Sequence, residues 1–173
     1  ELNELRFPII YREFGVLQDS GGAGEFEGAP GGICIYGPRK DPMTLGYVCD
    51  GIVFPPRGVL GGKDGHNLVA KKLKLYPSGK VKESDIPTMG ALTIKKGEFI
   101  KSIHAGGGGY GNPLKRDPEK VRLRVRDGYV SLEKAKNEYG IIFKHENDPE
   151  KLEVNYEATN QLREELENKG EHK

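Results

Sequence analysis

Apolar and polar residues along the first 110 positions follow patterns typical of short β-strands. Residues 7–17 form an apolar, aromatic and β-branched run that ends in a turn-dense stretch. Gly97 lies between two short apolar runs and predicts a hairpin turn with glycine in the special backbone position. The other strand candidates are residues 31–36, 44–54, 67–76, 91–94 and 99–103. These patterns predict an antiparallel sheet system, sandwich-like or barrel-like.

The pattern changes to helical spacing after residue 116. Asp117 and Pro118 form a strong helix start, with a side-chain acceptor at the cap and proline at the first helical position. Ser131 caps a second helix that ends at Gly140. Residues 155–169 are charged with sparse leucines, so we expect a polar helix that lies on a partner or stays partly frayed, followed by a loose tail at 171–173. The predicted fold class is therefore α+β, a β-rich domain with short C-terminal helices.

Composition and charge exclude several function classes. The 27 basic and 26 acidic residues give a net charge of +1, without the basic excess of a dedicated nucleic-acid binder. The two cysteines, Cys34 and Cys49, are too few for a disulfide framework, and free thiols in a reducing cytoplasm are the plainer interpretation. No apolar run is long enough to span a membrane, and no signal peptide is visible. We therefore expect a cytoplasmic chain with no nucleic-acid or membrane partner.

Three glycine-dense segments stand out: residues 19–24, 54–62 and 105–113. The GGGGYG stretch from Gly106 could hold an anion, because successive glycine N–H groups can point into one concavity. It is not a P-loop, since no Lys-Ser/Thr follows, and Asn112-Pro113 separates it from the helix that a dinucleotide fingerprint requires. The alternative is that these glycines let backbone pass close to backbone at a crowded turn.

Few side chains suggest chemistry. His104, between a strand and the third glycine segment, is the histidine that we consider for an acid-base or ligand-contacting role, beside a purely structural one. No histidine pair has zincin spacing, so we expect no metal site within this chain. Ser20 lacks a nucleophile elbow, and Asp19-Ser20 before two glycines is typical of a side-chain-stabilised turn. The candidate substrate-binding residues are Asp19, Ser20, His104, Gly106, Gly107, Gly108, Gly109 and Tyr110.

Taken in order, these segments resemble the C-terminal third of hydantoinase B-type subunits, the family of N-methylhydantoinase, 5-oxoprolinase and the acetone and acetophenone carboxylases. The resemblance covers about residues 1–143. It rests on ELRFP from Glu4 with neighbouring residues, DSGGAG from Asp19, FPPRG from Phe54, GGGGYGNP from Gly106 and RDGYVS from Arg126. Where an Arg-Gly-Gly often follows the DSGGAG loop, this chain has Glu27-Gly28-Ala29-Pro30, which argues against anion binding there.

The resemblance implies an ATP-dependent complex that hydrolyses a cyclic amide or carboxylates a ketone. The implied partners are a hydantoinase A-like ATP-binding subunit and the N-terminal part of a hydantoinase B-like subunit. ATP and a divalent metal are expected there and not on this chain, because the family's metal-binding motif lies in its N-terminal part. The missing motif and the absent initiator methionine suggest a processed chain or a piece of a longer one.

Two hypotheses follow for residues 1–143 as a hydantoinase B-type domain and 144–173 as a charged helical tail. In the first, the chain completes the hydantoinase B-like subunit and helps to line the substrate cavity, but is not active alone. In the second, it is a non-catalytic structural or assembly subunit of such a complex.

Overall fold

A computed structural model describes residues 2–170 and contains a five-stranded antiparallel sheet, ordered β1-β2-β7-β4-β5. A separate antiparallel pair, β3 and β6, lies beside one face of this sheet. In chain order the strands are β1 (Ile9–Val16), β2 (Gly32–Pro38), β3 (Met43–Val48), β4 (Val69–Leu75), β5 (Val81–Asp85), β6 (Met89–Ile94), β7 (Glu98–Ile103), β8 (Phe143–Lys144) and β9 (Glu153–Val154). The helices are α1 (Leu2–Arg6), α2 (Pro118–Arg126), α3 (Leu132–Tyr139) and α4 (Tyr156–Gly170). The α+β, β-rich prediction is confirmed.

The turn at Gly97 forms, but it does not make a hairpin. Gly97 has a φ of 82°, and the Glu98 N–H donates to the Lys95 carbonyl at 2.8 Å. The strands on either side belong to different sheets: β6, before the turn, pairs with β3, whereas β7, after it, lies between β2 and β4 in the main sheet. Strand β7 carries the buried Phe99 and Ile100. The hairpin expectation is therefore wrong in its pairing. The adjacent hairpin in the sheet is β4–β5, whose second strand has no apolar alternation and was not predicted.

The three glycine-dense segments lie side by side and bond to one another through their backbones. We call residues 20–31, 56–66 and 104–111 the glycine layer. Gly22 N–H donates to the Gly107 carbonyl at 2.8 Å, Lys63 N–H to Ala23 at 2.7 Å, and Gly109 N–H to Lys63 at 2.9 Å. Apart from isolated bridges, most of the layer lies outside regular strands. Its backbone N–H and C=O groups are instead hydrogen-bonded between segments that lie far apart in sequence.

Close approach explains why the layer needs glycine. A Cβ atom on Gly106 would overlap the Ser20 carbonyl, and one on Gly108 would overlap the Arg57 carbonyl. Backbone atoms cannot move aside as the end of a flexible side chain can, so any larger residue would push the segments apart. The glycines of the predicted anion loop therefore allow neighbouring backbone segments to approach each other closely.

The C-terminal third of the chain, residues 113–170, folds as a small helical unit whose local signals the sequence predicted well. Asp117 Oδ1 accepts from the Glu119 N–H at 2.9 Å, and Ser131 Oγ accepts from the Lys134 N–H at 3.0 Å. Gly140 ends α3 in the left-handed conformation, with a φ of 64°. Both predicted helices are confirmed. The buried side chains of α2 and α3 pack with residues from the glycine layer and from the segments around the helices in one apolar cluster: Ala23, Val121, Val130, Ala135, Tyr139, Ile141, Phe143, Leu152 and Val154.

Helix α4 packs on its own chain, an arrangement that was not expected for a partner-bound or frayed helix. Arg163 donates to the carbonyls of Tyr139 at 3.1 Å and Arg116 at 2.8 Å. The buried Thr159 hydroxyl accepts from the Ile142 N–H at 3.1 Å. The expected tail at 171–173 lies outside the described residues. Leu152 and Val154, which follow residue 143, belong to the same apolar core as α2 and α3. The domain boundary at residue 143 stays a prediction.

Candidate functional site

Ser20 is buried and both hydrogen-bonding functions of its hydroxyl are used. Its Oγ accepts from the Gly31 N–H at 2.7 Å and donates to the Leu17 carbonyl at 2.5 Å. With 1% of its surface exposed, the side chain joins the two ends of the first glycine segment. This geometry is that of a side-chain-stabilised turn.

Asp19 connects the first glycine segment to the start of α3. It has a φ of 63°, and its Oδ1 accepts from the Ser131 N–H at 2.8 Å. Lys134 completes this connection, because its Nζ donates to the Asp19 carbonyl at 2.8 Å and to the Gly21 carbonyl at 2.6 Å. Lys134 was not among the residues predicted from the sequence. No local pattern marks it, since its partners lie more than 100 residues away along the chain.

The amides of the third glycine segment mostly point at carbonyls within the glycine layer. Gly106 N–H donates to His66 at 3.0 Å, Gly107 N–H to Ala29 at 2.8 Å and Gly109 N–H to Lys63 at 2.9 Å. An amide that already donates to a backbone carbonyl is a poor donor to a substrate oxygen, since the existing bond must break first. The arrangement favours architecture over anion binding, while the substrate-binding role of these glycines stays a prediction.

Tyr110 pairs with Phe26 at the surface of the glycine layer. Each backbone N–H donates to the other residue's carbonyl, at 2.9 and 3.0 Å, and the two rings meet edge to face with centroids 6.1 Å apart. Both side chains are largely exposed. Tyr110 therefore presents an aromatic surface outward from the layer.

His104 is the predicted candidate that opens onto a cleft. It follows β7, its N–H donates to the Gly32 carbonyl at 2.7 Å, and its side chain is exposed. The cleft has a volume of about 450 Å³ and lies between the main sheet and the β3–β6 pair. It is lined by Cys34, Tyr36, Leu45, Gly46, Tyr47, Val48, Cys49, Leu68, Ala70, Ile86, Ile100, Ser102 and His104.

Cys34, in the lining of this cleft, is poorly suited to thiolate chemistry at neutral pH. Burial raises the pKa of the Cys34 thiol, so the thiol form persists to higher pH than usual. Burial also raises the pKa of Tyr36, and the nearby Cys34 raises it further. Hydrogen-bonding groups in the cleft, including His104, Ser102 and Tyr36, are thus held among apolar neighbours. That composition is typical of a surface that contacts an uncharged ligand or polypeptide.

Glu27 stands where the family resemblance leads one to expect a basic residue, and it is the most buried carboxylate among the ion pairs of residues 2–170. Its Oε2 lies 2.8 Å from Arg124 Nε and 3.3 Å from Arg116 Nη2, with 5% of its side chain exposed. Burial and this carboxylate both raise the pKa of the Tyr139 phenol. Glu27 therefore pairs with two guanidinium groups, those of Arg116 and Arg124, and position 27 itself supplies no positive charge to which an anion could bind.

The structure connects Asp19 to the start of α3, places His104 at the margin of the glycine layer, and brings the other six predicted residues together within the layer: Ser20, Gly106, Gly107, Gly108, Gly109 and Tyr110. Ser20 meets Gly106 backbone to backbone, and Gly31 meets the His104 carbonyl in the same way. Among residues 2–170, no group of three or more histidine, cysteine or acidic side chains has metal-binding geometry. No described helix is long and apolar enough to cross a membrane.

Comparison with known proteins matches residues 1–113 to the model of the hydantoinase B/oxoprolinase family. The chain is 35% identical over 144 residues to the caprolactamase subunit beta of Pseudomonas jessenii, covering 82% of this chain and 24% of that protein. The crystal structure of ATP-dependent caprolactamase from Pseudomonas jessenii superposes with a TM-score of 0.72 at 28% identity, covering 94% of this chain and 27% of that one.

The nucleotide-free structure of acetone carboxylase shares the fold, with a TM-score of 0.74 at 19% identity over 98% of this chain and 26% of that one. The chain thus spans about a quarter of the length of the relatives it matches. Proteins similar to it are components of ATP-dependent amide-hydrolysing or carboxylating enzymes.

Proposed function

Because the chain belongs to the hydantoinase B/oxoprolinase family, we propose that it is the C-terminal module or small subunit of a multisubunit ATP-dependent hydantoinase, oxoprolinase or ketone carboxylase. The observation that carries this proposal is the share of each chain that superposes. Nearly the whole chain, 94%, superposes on a quarter of a caprolactamase chain. A unit of this kind completes a larger hydantoinase B-like subunit and is not expected to be active alone.

The exposed apolar surface supports a role inside a larger assembly. Phe14, Val48 and Phe54 are each more than three-quarters exposed, although they are large apolar side chains. We infer that partner chains cover these side chains in the assembly. We propose as partners a hydantoinase A-like ATP-binding subunit and the N-terminal part of a hydantoinase B-like subunit, in the cytoplasm, with ATP and a divalent metal bound on those partners.

Within such a complex, we propose that the cleft at His104 helps to line the substrate cavity. The cleft holds hydrogen-bonding groups among apolar ones, a combination suited to orienting a small neutral ring or ketone. The second candidate is a purely structural or assembly subunit. It is favoured by Asp19, Ser20 and the glycine amides, whose hydrogen bonds are made within the chain.

Isolation of the chain from native extracts through an affinity tag tests the enzyme-component proposal. We expect a complex far larger than 19.1 kDa that contains a hydantoinase A-like and a hydantoinase B-like polypeptide. We also expect its ATP hydrolysis to be stimulated by a cyclic amide, or by a ketone with bicarbonate. A stable monomer with neither partner would contradict the proposal.

His104→Asn separates cavity lining from scaffolding, with His145→Asn as its matched control. Both histidines are exposed, but His145 lies outside the cleft, in a left-handed conformation that asparagine tolerates. Cavity lining predicts that His104→Asn changes turnover while assembly stays intact and His145→Asn does not. Unchanged turnover in both variants supports the structural role.

A further inference from the structure

The two edges of the main sheet differ in chemistry. Strand β5 forms one edge with five exposed residues, among them Lys82, Glu83 and Asp85. Lys71 and Lys101 reach Glu83 at 3.5 and 3.4 Å, and Lys101 with Lys71 lowers the pKa of this carboxyl. Charged, ion-paired edges of this kind resist pairing with another strand. The β5 edge is therefore a protected one.

The opposite edge, β1, ends in the exposed apolar side chains of Phe14 and Val16, which follow the exposed Arg12 and Glu13. Its register with β2 shifts between Tyr11 and Glu13, so Arg12 forms a bulge. Because Tyr11 pairs with Tyr36 and Phe14 with Cys34, the bulge puts Tyr11 and Phe14 on one face of the sheet. Their rings meet edge to face with centroids 5.9 Å apart. Without the bulge, Phe14 would lie on the other face.

Helix α1 covers the first half of this edge and leaves the second half open. The Tyr11 N–H donates to Glu4 Oε1 at 2.6 Å, so α1 occupies the edge at that point. A depression of about 240 Å³ lined by Asn3, Glu4, Tyr11 and Phe14 follows. Phe14, at the rim of this depression, is 81% exposed, Val16 beyond it is 52% exposed, and residues 12–16 are all exposed.

We propose that the β1 edge at residues 13–16 accepts an extended apolar segment from the remainder of a hydantoinase B-type polypeptide, which packs on Phe14 and Val16. This inference rests on the proposed function. The occupant follows from the length of the relatives and from the chemistry of the edge: about three-quarters of each relative's chain lies outside the unit matched here. Glu13 lies on the opposite face of the sheet from Phe14, and the Arg12 guanidinium lies over the Phe99 ring, so the face of Phe14 and Val16 suits an uncharged strand. Such strand addition obtains affinity from main-chain bonds and selectivity from side-chain packing.

Photocrosslinking tests the position of the partner. The photoreactive amino acid p-benzoylphenylalanine replaces Phe14 in one variant and Val81, on the opposite edge, in the control. The tagged chain is irradiated in native extract, and the crosslinked peptides are identified by mass spectrometry. We expect position 14 to crosslink to a hydantoinase B-type sequence outside residues 1–173, whether on a separate chain or the same one, and position 81 not to.

The outcomes distinguish this inference from the proposed function. A hydantoinase B-type polypeptide that is recovered but crosslinks at 81, or not at 14, overturns the inference alone. A crosslink from 14 to a second copy of residues 1–173 overturns it as well. Failure to recover any hydantoinase B-type polypeptide overturns the proposed function and the inference together.

Charge substitution gives the matching quantitative test. Phe14→Lys should weaken association with the hydantoinase B-type polypeptide by at least about tenfold, because a charge replaces an anchoring aromatic ring. Val81→Lys should change it by less than about twofold. Both positions are exposed, so thermal unfolding should match that of the unmodified chain. Equal effects of the two variants on association would contradict the inference.

Discussion

The Glu27 carboxylate lies 2.8 Å from Arg124 Nε, and this ion pair connects the glycine layer to helix α2 through a buried anion. Arg116 adds a second contact at 3.3 Å, and its Nη1 also donates to the Glu25 carbonyl at 3.0 Å. The C-terminal helices are thereby fixed to the layer by charge as well as by the packing of Ala23 into their core. The negative charge of Glu27, at a position where the family resemblance leads one to expect a basic residue, is thus paired with two arginines of the same chain.

Glu27→Gln should lower the free energy of unfolding by about 2–3 kcal/mol, because it leaves two partly buried guanidinium groups without their anion. Urea unfolding at neutral pH measures this change. Glu83→Gln is the matched control, since it removes an ion-paired carboxylate from an exposed strand, where such pairs contribute little. Equal losses in the two variants would show that Glu27 does not hold the helical unit in place.

Gly106→Ala should destabilise the chain by about 1–3 kcal/mol or more, because the added methyl meets the Ser20 carbonyl. Gly46→Ala is the control: it places a methyl in open space within β3. Thermal unfolding followed by circular dichroism compares them. If Gly106→Ala is as stable as Gly46→Ala, the layer is not close-packed and the glycines have another purpose.

Local signals account for what the sequence predicted of the fold, and distant contacts account for what it did not. The caps at Asp117 and Ser131 and the helix end at Gly140 act over a few residues, so they could be read directly. Strand β5 has no apolar alternation, and the partner of β7 depends on which sheet buries Phe99. Neither property has a local pattern.

The candidate site shows the same division. All three glycine segments could be identified in the sequence. Their hydrogen bonds to one another could not, since partners such as Gly22 and Gly107 lie far apart along the chain. Lys134 was missed because its two carbonyl partners become neighbours only after folding. His104 was selected for its position, and the cleft around it depends on how β3 and β6 lie over the sheet.

Ser20→Ala should cost about 1–3 kcal/mol of stability, because the buried Gly31 N–H loses its acceptor. Ser84→Ala removes an exposed hydroxyl that donates to the Lys72 carbonyl at 3.3 Å, and should have a much smaller effect. Urea unfolding of both variants measures the difference. A Ser20→Ala variant that keeps full stability but abolishes turnover of the complex would instead assign Ser20 a chemical role.

Glu98 should make the stability of the sheet depend on pH below the ordinary glutamate pKa of about 4.3. Partial burial alone raises the pKa of Glu98, but the hydrogen bonds from the Lys72 ammonium at 2.7 Å and the Lys95 N–H at 2.9 Å outweigh it, so the pKa is lowered. A group whose folded pKa is lowered stabilises the fold fully above its unfolded pKa. That contribution is lost as the pH falls through the folded pKa.

Glu98→Gln should therefore show a shallower fall in unfolding free energy between about pH 5 and pH 3 than the unmodified chain. Urea unfolding across this range measures the slope. Lys72→Met should reduce the slope as well, and the double variant should add little to either change, because both substitutions break the same ion pair. A Glu98→Gln slope equal to that of the unmodified chain would mean that the acid sensitivity arises from other carboxylates.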